Sequence, residues 1–154
     1  MTGEHIYDLW VKNFLKGWFK GLMKGFEQVD EETRKKILFE TGKACNEMHA
    51  KELFKKSWEK AKGDLDTFLT NLNTELQSEI YSKVNTTTIK ATYPKCFCPL
   101  VGLGLIESPI ICDCSGAWIK TGFESIIDLP IFIDVHETVM KGADSCNFTI
   151  TLKA

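Results

Sequence analysis

A chain of 154 residues suits a single domain with one core. Its 44% hydrophobic content is that of a globular protein, and a net charge of −2 supplies no electrostatic basis for binding nucleic acid. No apolar run approaches the roughly 20 residues that span a bilayer, and Met1-Thr-Gly-Glu-His lacks the basic-then-apolar layout of a secretory signal. Together these features predict a cytoplasmic protein whose thiols stay reduced. Six cysteines there point to metal binding or reactivity rather than to disulfides.

The first half, 1–80, reads as helix and the second, 81–154, as sheet. No Pro precedes Pro94 and no Gly/Ser linker separates the halves, so one α+β domain is predicted, with N-terminal helices packed on a small antiparallel sheet that ends in a hairpin. The first helix is expected over 5–28. Ile6, Trp10, Phe14, Trp18, Leu22 and Phe26 recur every four residues, beside a lysine row (Lys12, Lys16, Lys20, Lys24) and a glycine row (Gly17, Gly21, Gly25). Each row makes a slanted stripe on a 3.6-residue helix, and the aromatic stripe is expected to bury while the lysines stay in water. A membrane-surface helix would need more net positive charge than Glu4, Asp8 and Glu27 leave. Each glycine costs ~1 kcal/mol against Ala, and a row of them lets another backbone come close, as in a homodimer contact.

Asp30 is the expected N-cap of a second helix, carrying Ile37, Leu38, Ala44, Cys45 and Met48, running to about Trp58 and kinked at Gly42. A third helix starts near Asp64, with Leu65, Phe68, Leu69, Leu72 and Leu76 on its apolar side. Val84 to Tyr93 is β-branched and reads as one strand, closed by Cys96 to Pro99. Ser115 is placed to cap a helix running to about Ile127. A strand over Ile131 to Val139, a turn at Lys141 to Asp144 and an alternating run from Cys146 to Leu152 form the terminal hairpin.

Chemistry is expected at two Cys-x-Cys pairs, Cys96/Cys98 and Cys112/Cys114. On a strand, residues i and i+2 share a face, so each pair can aim two sulfurs together. If the segments meet, four thiols converge as a zinc cage, a redox pair or a reactive thiol. The alternative is that these cysteines are small core residues. Cys45 and His49, four apart on the second helix, share a face and make a metal half-site or a thiol beside a base. Their competing reading is a half-buried helix face. Cys114 precedes a helix start, where backbone N–H groups stabilise an anion, and is therefore the candidate reactive thiolate. His136 and His5 read as a strand-surface and a solvated residue.

The last third also carries a resemblance. Cys112-Asp-Cys-Ser-Gly-Ala-Trp-Ile-Lys is followed by Phe123-Glu and by a strand from Ile131 to Val135, and the run Glu137-Thr-x3-Gly-x3-Cys146-x-Phe closes the region. This closing run resembles the end of the 4-vinyl reductase (hydrocarbon-binding) domains. It is still more similar to bacterial proteins grouped as L-2-amino-thiazoline-4-carboxylic acid hydrolase-like. The resemblance covers about 110–152, and it implies an α+β domain with a small-molecule pocket between helices and sheet. It also implies a structural zinc held by Glu137 and Cys146, although Met140 stands where that pattern has a further Cys.

Three readings follow. The first is a small-molecule-binding domain whose pocket is lined by Phe14, Trp18, Phe39, Trp118 and Phe123, with Cys45, His49, Cys98, Cys112 and Cys114 as its polar elements. A zinc ion held among Cys45, Cys96, Cys98, Cys112 and Cys114 belongs to this reading. The second is a thiol- or metal-dependent hydrolase of a thiazoline-like or cyclic amide substrate, with Cys114 as nucleophile and His49 as base. The third is a structural protein that dimerises through the glycine row.

Overall fold

The computed structural model describes residues 3–154, apart from the side chain of Glu4. The start at Met1-Thr2 and the charge of Glu4, both used above, lie outside the described residues. Six helices and four strands follow in chain order: α1 (Gly3–Phe26), α2 (Glu31–His49), α3 (Lys51–Ala61), α4 (Leu65–Leu76), β1 (Tyr81–Asn85), β2 (Thr88–Tyr93), α5 (Pro99–Gly102), α6 (Ser115–Glu124), β3 (Ile131–Glu137) and β4 (Cys146–Leu152). A 3-10 turn, Pro109–Cys114, leads into α6, and another, Val139–Lys141, joins β3 to β4. The α+β class and the closing hairpin are as the sequence predicts. No helix among the described residues is long and apolar enough to cross a membrane.

The predicted cap at Asp30 is present, and the helix predicted to start near Asp64 is capped by Asp64 itself. Asp30 accepts from the Thr33 N–H at 2.9 Å, and Asp64 accepts from the Thr67 N–H at 2.8 Å. Each satisfies an N–H that the first helical turn leaves without a partner. The long second helix bends at Ala50 rather than at Gly42. Backbone bonding runs on through the bend, from the Ala50 N–H to the Asn46 carbonyl and from the Phe54 N–H to the Ala50 carbonyl. Redirecting the chain there sends Phe54 into the core, where it is fully buried.

The predicted long strand is instead a hairpin. Asn85 Oδ1 accepts from the Thr87 N–H at 2.9 Å, an Asx-type turn that splits Val84–Tyr93 into β1 and β2. The sheet is antiparallel throughout, in the order β1-β2-β4-β3. Ile89 pairs with Ile150, Ala91 with Phe148 and Tyr93 with Cys146, so the alternation of β2 and β4 sends these side chains to one face. Helices α3, α4 and α6 cover that face. Phe54 is the hub of the core, with Phe68, Tyr81, Trp118 and Phe123 around it at centroid distances of 5.6 to 6.5 Å.

A smaller apolar cluster holds α1 to the body: Met23 and Phe26 pack with Leu38, Ile106 and Ile111. Apolar packing seats this end of α1. Most of the row expected to bury, from Ile6 to Leu22, is exposed instead, with Trp10, Phe14 and Trp18 between 54% and 61% accessible. The slanted row reaches the seated side only at its last member, Phe26, which is buried beside Met23 and the partly covered Phe19.

Candidate functional site: a thiol-walled cavity

A cavity of about 430 Å³ opens between α2, α6 and the far ends of β2 and β4. All six cysteines of the chain line it. The Cys-x-Cys pairs do converge, but not on strands. Cys96 and Cys98 lie in the irregular segment after β2, and Cys112 and Cys114 lie on the 3-10 turn before α6. Tertiary packing brings them together, not the two-residue repeat of a strand.

Three contacts fix the Cys112–Cys114 segment. Gly42 of α2 meets it so closely that a Cβ there would stand 2.1 Å from the Cys114 carbonyl oxygen. Asp113, between the two cysteines, is nearly buried and faces Arg34 Nε of α2 at 3.2 Å and Lys141 Nζ at 3.6 Å. The Ser115 hydroxyl does not cap α6; it donates to the Cys112 carbonyl at 2.6 Å. Two helices and the β3–β4 connection therefore grip one 3-10 turn.

The sulfurs influence one another in sequence around the wall. Burial pushes the Cys114 thiol up to about 12, helped by Cys98, Cys45 and Cys112 nearby. Burial also raises Cys45, with Cys98 adding to it and the Trp118 indole N–H working in the opposite sense. Cys112 is raised by burial, with the nearby Thr138 hydroxyl working in the opposite sense, and Cys96 is raised by burial as well. Cys146 takes the Val139 N–H on its sulfur at 3.3 Å. A thiolate at Cys114, expected from the helix start, is therefore disfavoured. The loss of water around the sulfur outweighs the N-terminal dipole, because desolvation of a buried anion is the larger effect.

Other predicted residues separate into two groups. Cys45 and His49 share one face of α2, as their spacing predicts, and both line the cavity with Trp118. Phe14, Trp18, Phe39 and Phe123 do not line it. Phe14 and Trp18 stand on the exposed side of α1, Phe39 is on the solvent side of α2, and Phe123 is fully buried in the core below. Aromatic character marked these positions, but the direction each side chain takes is set by helix packing. Glu137 lies outside the cavity and accepts from the Asn147 side chain at 2.6 Å, so it does not join Cys146 at one site. Among the described residues, no three His, Cys, Asp or Glu side chains are gathered as metal ligands. His136 bonds Thr149 on the outer face of the sheet at 2.7 Å.

The rest of the wall is apolar or aromatic: Tyr93, Phe97, Val101, Ile111, Ile119 and Phe148. Tyr93 and Phe148 extend the inward rows of β2 and β4 beyond the core, so strand alternation was a usable signal for them. Tyr93 shares a hydrogen bond with the hydroxyl of Tyr81, and burial holds both phenols well above their ordinary range. The Thr138 hydroxyl is buried on the wall.

The fold is that of a solved protein. Over 93% of this chain and 95% of the other, it is similar to trafficking protein particle complex subunit 3 from Naegleria fowleri, covalently bound to palmitic acid, with a TM-score of 0.53 and 11% sequence identity. No family model matches the chain, and no curated protein matches it. At this identity the likeness is one of fold.

Proposed function

We propose that the chain is a binding protein for a small apolar ligand of the acyl-chain class, held in the thiol-walled cavity. The observation that carries this reading is the wall itself: six thiols, four aromatic side chains and few polar atoms around about 430 Å³. Ligand cavities of this kind are of order 300–1,000 Å³, mostly apolar, with a few polar groups that set orientation. His49, Ser115 and Thr138 supply those groups here. The neighbour of similar fold carries palmitic acid covalently, which supports an acyl chain as the ligand class. The same proposal keeps the protein in a reducing, cytoplasmic setting, where the thiols stay free to meet the ligand.

A hydrolase built on Cys114 and His49 is the second reading, favoured by their place on one cavity wall. It needs a thiolate that burial opposes. Zinc is a third element to test, on the same preparation.

The experiment is native mass spectrometry of protein purified without chelator, followed by titration with a fluorescent long-chain fatty acid. Saturable one-to-one binding, weakened at least about tenfold by Val101→Trp at the cavity wall, is the expected result. A chain that carries no small molecule and does not bind the probe would overturn the reading. Stoichiometric zinc lost on Cys98→Ser, with no probe binding, would favour the metal site instead.

A further inference from the structure

Helix α1 exposes more apolar surface than a free monomer ordinarily carries. Ile6, Tyr7, Trp10, Phe14 and Trp18 are each between 54% and 64% accessible, and Leu22 is 38% accessible. Aromatic side chains present 150–250 Å² each, so this face offers on the order of 800 Å². The largest apolar patch on a typical monomer is about 300–600 Å². About 800 Å² per partner is what a stable interface of standard size buries. No α1 residue lines the cavity, so this surface is separate from the proposed ligand site.

The identity of the covering partner is suggested by the glycine row. A Cβ at Gly17, Gly21 or Gly25 would meet nothing within 4 Å. The notches therefore serve no contact inside the chain. At ~100° per residue, positions eleven apart nearly coincide around a helix. Ile6, Trp10 and Phe14 thus lie within about 20° of Gly17, Gly21 and Gly25 respectively. One helix face carries large side chains in its N-terminal half and bare backbone in its C-terminal half.

We propose that this face binds a second copy of the chain, α1 against α1, antiparallel about a two-fold axis between Leu15 and Lys16. In that register Trp10 faces the partner copy's glycine at position 21, the two lying about 20° apart around the helix. Each contact occurs twice, as an isologous interface requires. Lys12, Lys16 and Lys20 lie to one side of the aromatic face and remain in water, and Lys24 stands at its edge, in the direction of Ile6. A flat lipid surface would bury the aromatics but would leave the three glycines unused.

Sedimentation equilibrium of the full chain tests this. The expected species is a dimer, and Gly21→Leu should weaken it at least about tenfold. That variant fills only open space and improves helix propensity, so loss of folding is not the expected cause. Gly21→Trp should also dissociate the pair, and adding Trp10→Gly to it should restore association by exchanging knob and notch. A monomer at tens of micromolar chain, a dimer unmoved by Gly21→Leu, or no restoration in the exchanged variant would overturn the proposal. A monomeric chain that pellets with phosphatidylcholine/phosphatidylserine vesicles, and stops doing so in Trp10→Ala/Trp18→Ala, would overturn it in favour of a membrane surface. Fatty-acid binding by the monomeric Gly21→Leu chain separates this outcome from that of the cavity.

Discussion

At Cys114 two physical effects compete, and their magnitudes decide the chemistry. The dipole at a helix start stabilises an anion by about 0.3–1 kcal/mol at an exposed site. Burial outweighs it and moves the thiol from 9.0 to about 12. Thiolate at neutral pH is then scarcer by roughly a thousandfold, so Cys114 should react with iodoacetamide far more slowly than a free thiol. Peptide mapping after timed alkylation reads this directly. The same shift makes a stability prediction. The native state holds the proton more tightly than the unfolded one, so the contribution is complete below about 9 and is lost as pH rises through about 12. Cys45, Cys96 and Cys112 are shifted in the same direction. Thermal midpoints should therefore fall on the alkaline side, and Cys114→Ala should shallow that fall.

Among the elements, the 3-10 turn Pro109–Cys114 matters most, because it sets where two of the thiols point. Gly42→Ala would drive a methyl into the Cys114 carbonyl, a backbone group with little freedom to yield. Overpacking of this kind costs about 1–3 kcal/mol, and urea denaturation should show a midpoint lowered accordingly. Arg34→Ala would strip Asp113 of one of its two cations. Because Arg34 is partly exposed, the loss should be about 1–3 kcal/mol, below the range for a fully buried pair. Hydrogen exchange should localise the loosening to the segment around Cys112–Cys114. Neither contact was visible in the sequence. Asp113 and Arg34 are 79 residues apart, and a Gly in mid-helix reads as a kink as readily as a docking notch. The cap at Asp30 and the helix start near Asp64, by contrast, were legible because each Asp bonds a residue three positions on. The strand break at Asn85 was missed for a related reason: β-branched threonines outweighed a local Asx turn.

For the whole molecule, stability and association should be separable by substitution. Phe54 is fully buried at the meeting point of α3, α4, α6 and the sheet, so Phe54→Ala should cost about 3–5 kcal/mol in chemical denaturation. Trp10→Ala, on an exposed face, should change unfolding of the monomer by less than about 0.5 kcal/mol while altering its association. The sequence by itself determined the class, the helical half and sheet half, the cap at Asp30, the helix start near Asp64, the terminal hairpin and the shared face of Cys45 and His49. These rest on periodicity and short-range hydrogen bonds, which a linear chain displays. Only the tertiary structure decided that six cysteines spread from position 45 to position 146 line one cavity, and that Phe123 belongs to the core beneath it. It also decided that the aromatic row of α1, up to Leu22, is left exposed. An apolar stripe says that a face must be covered. What covers it depends on how helices dock across the whole fold, and that is a property of packing in three dimensions.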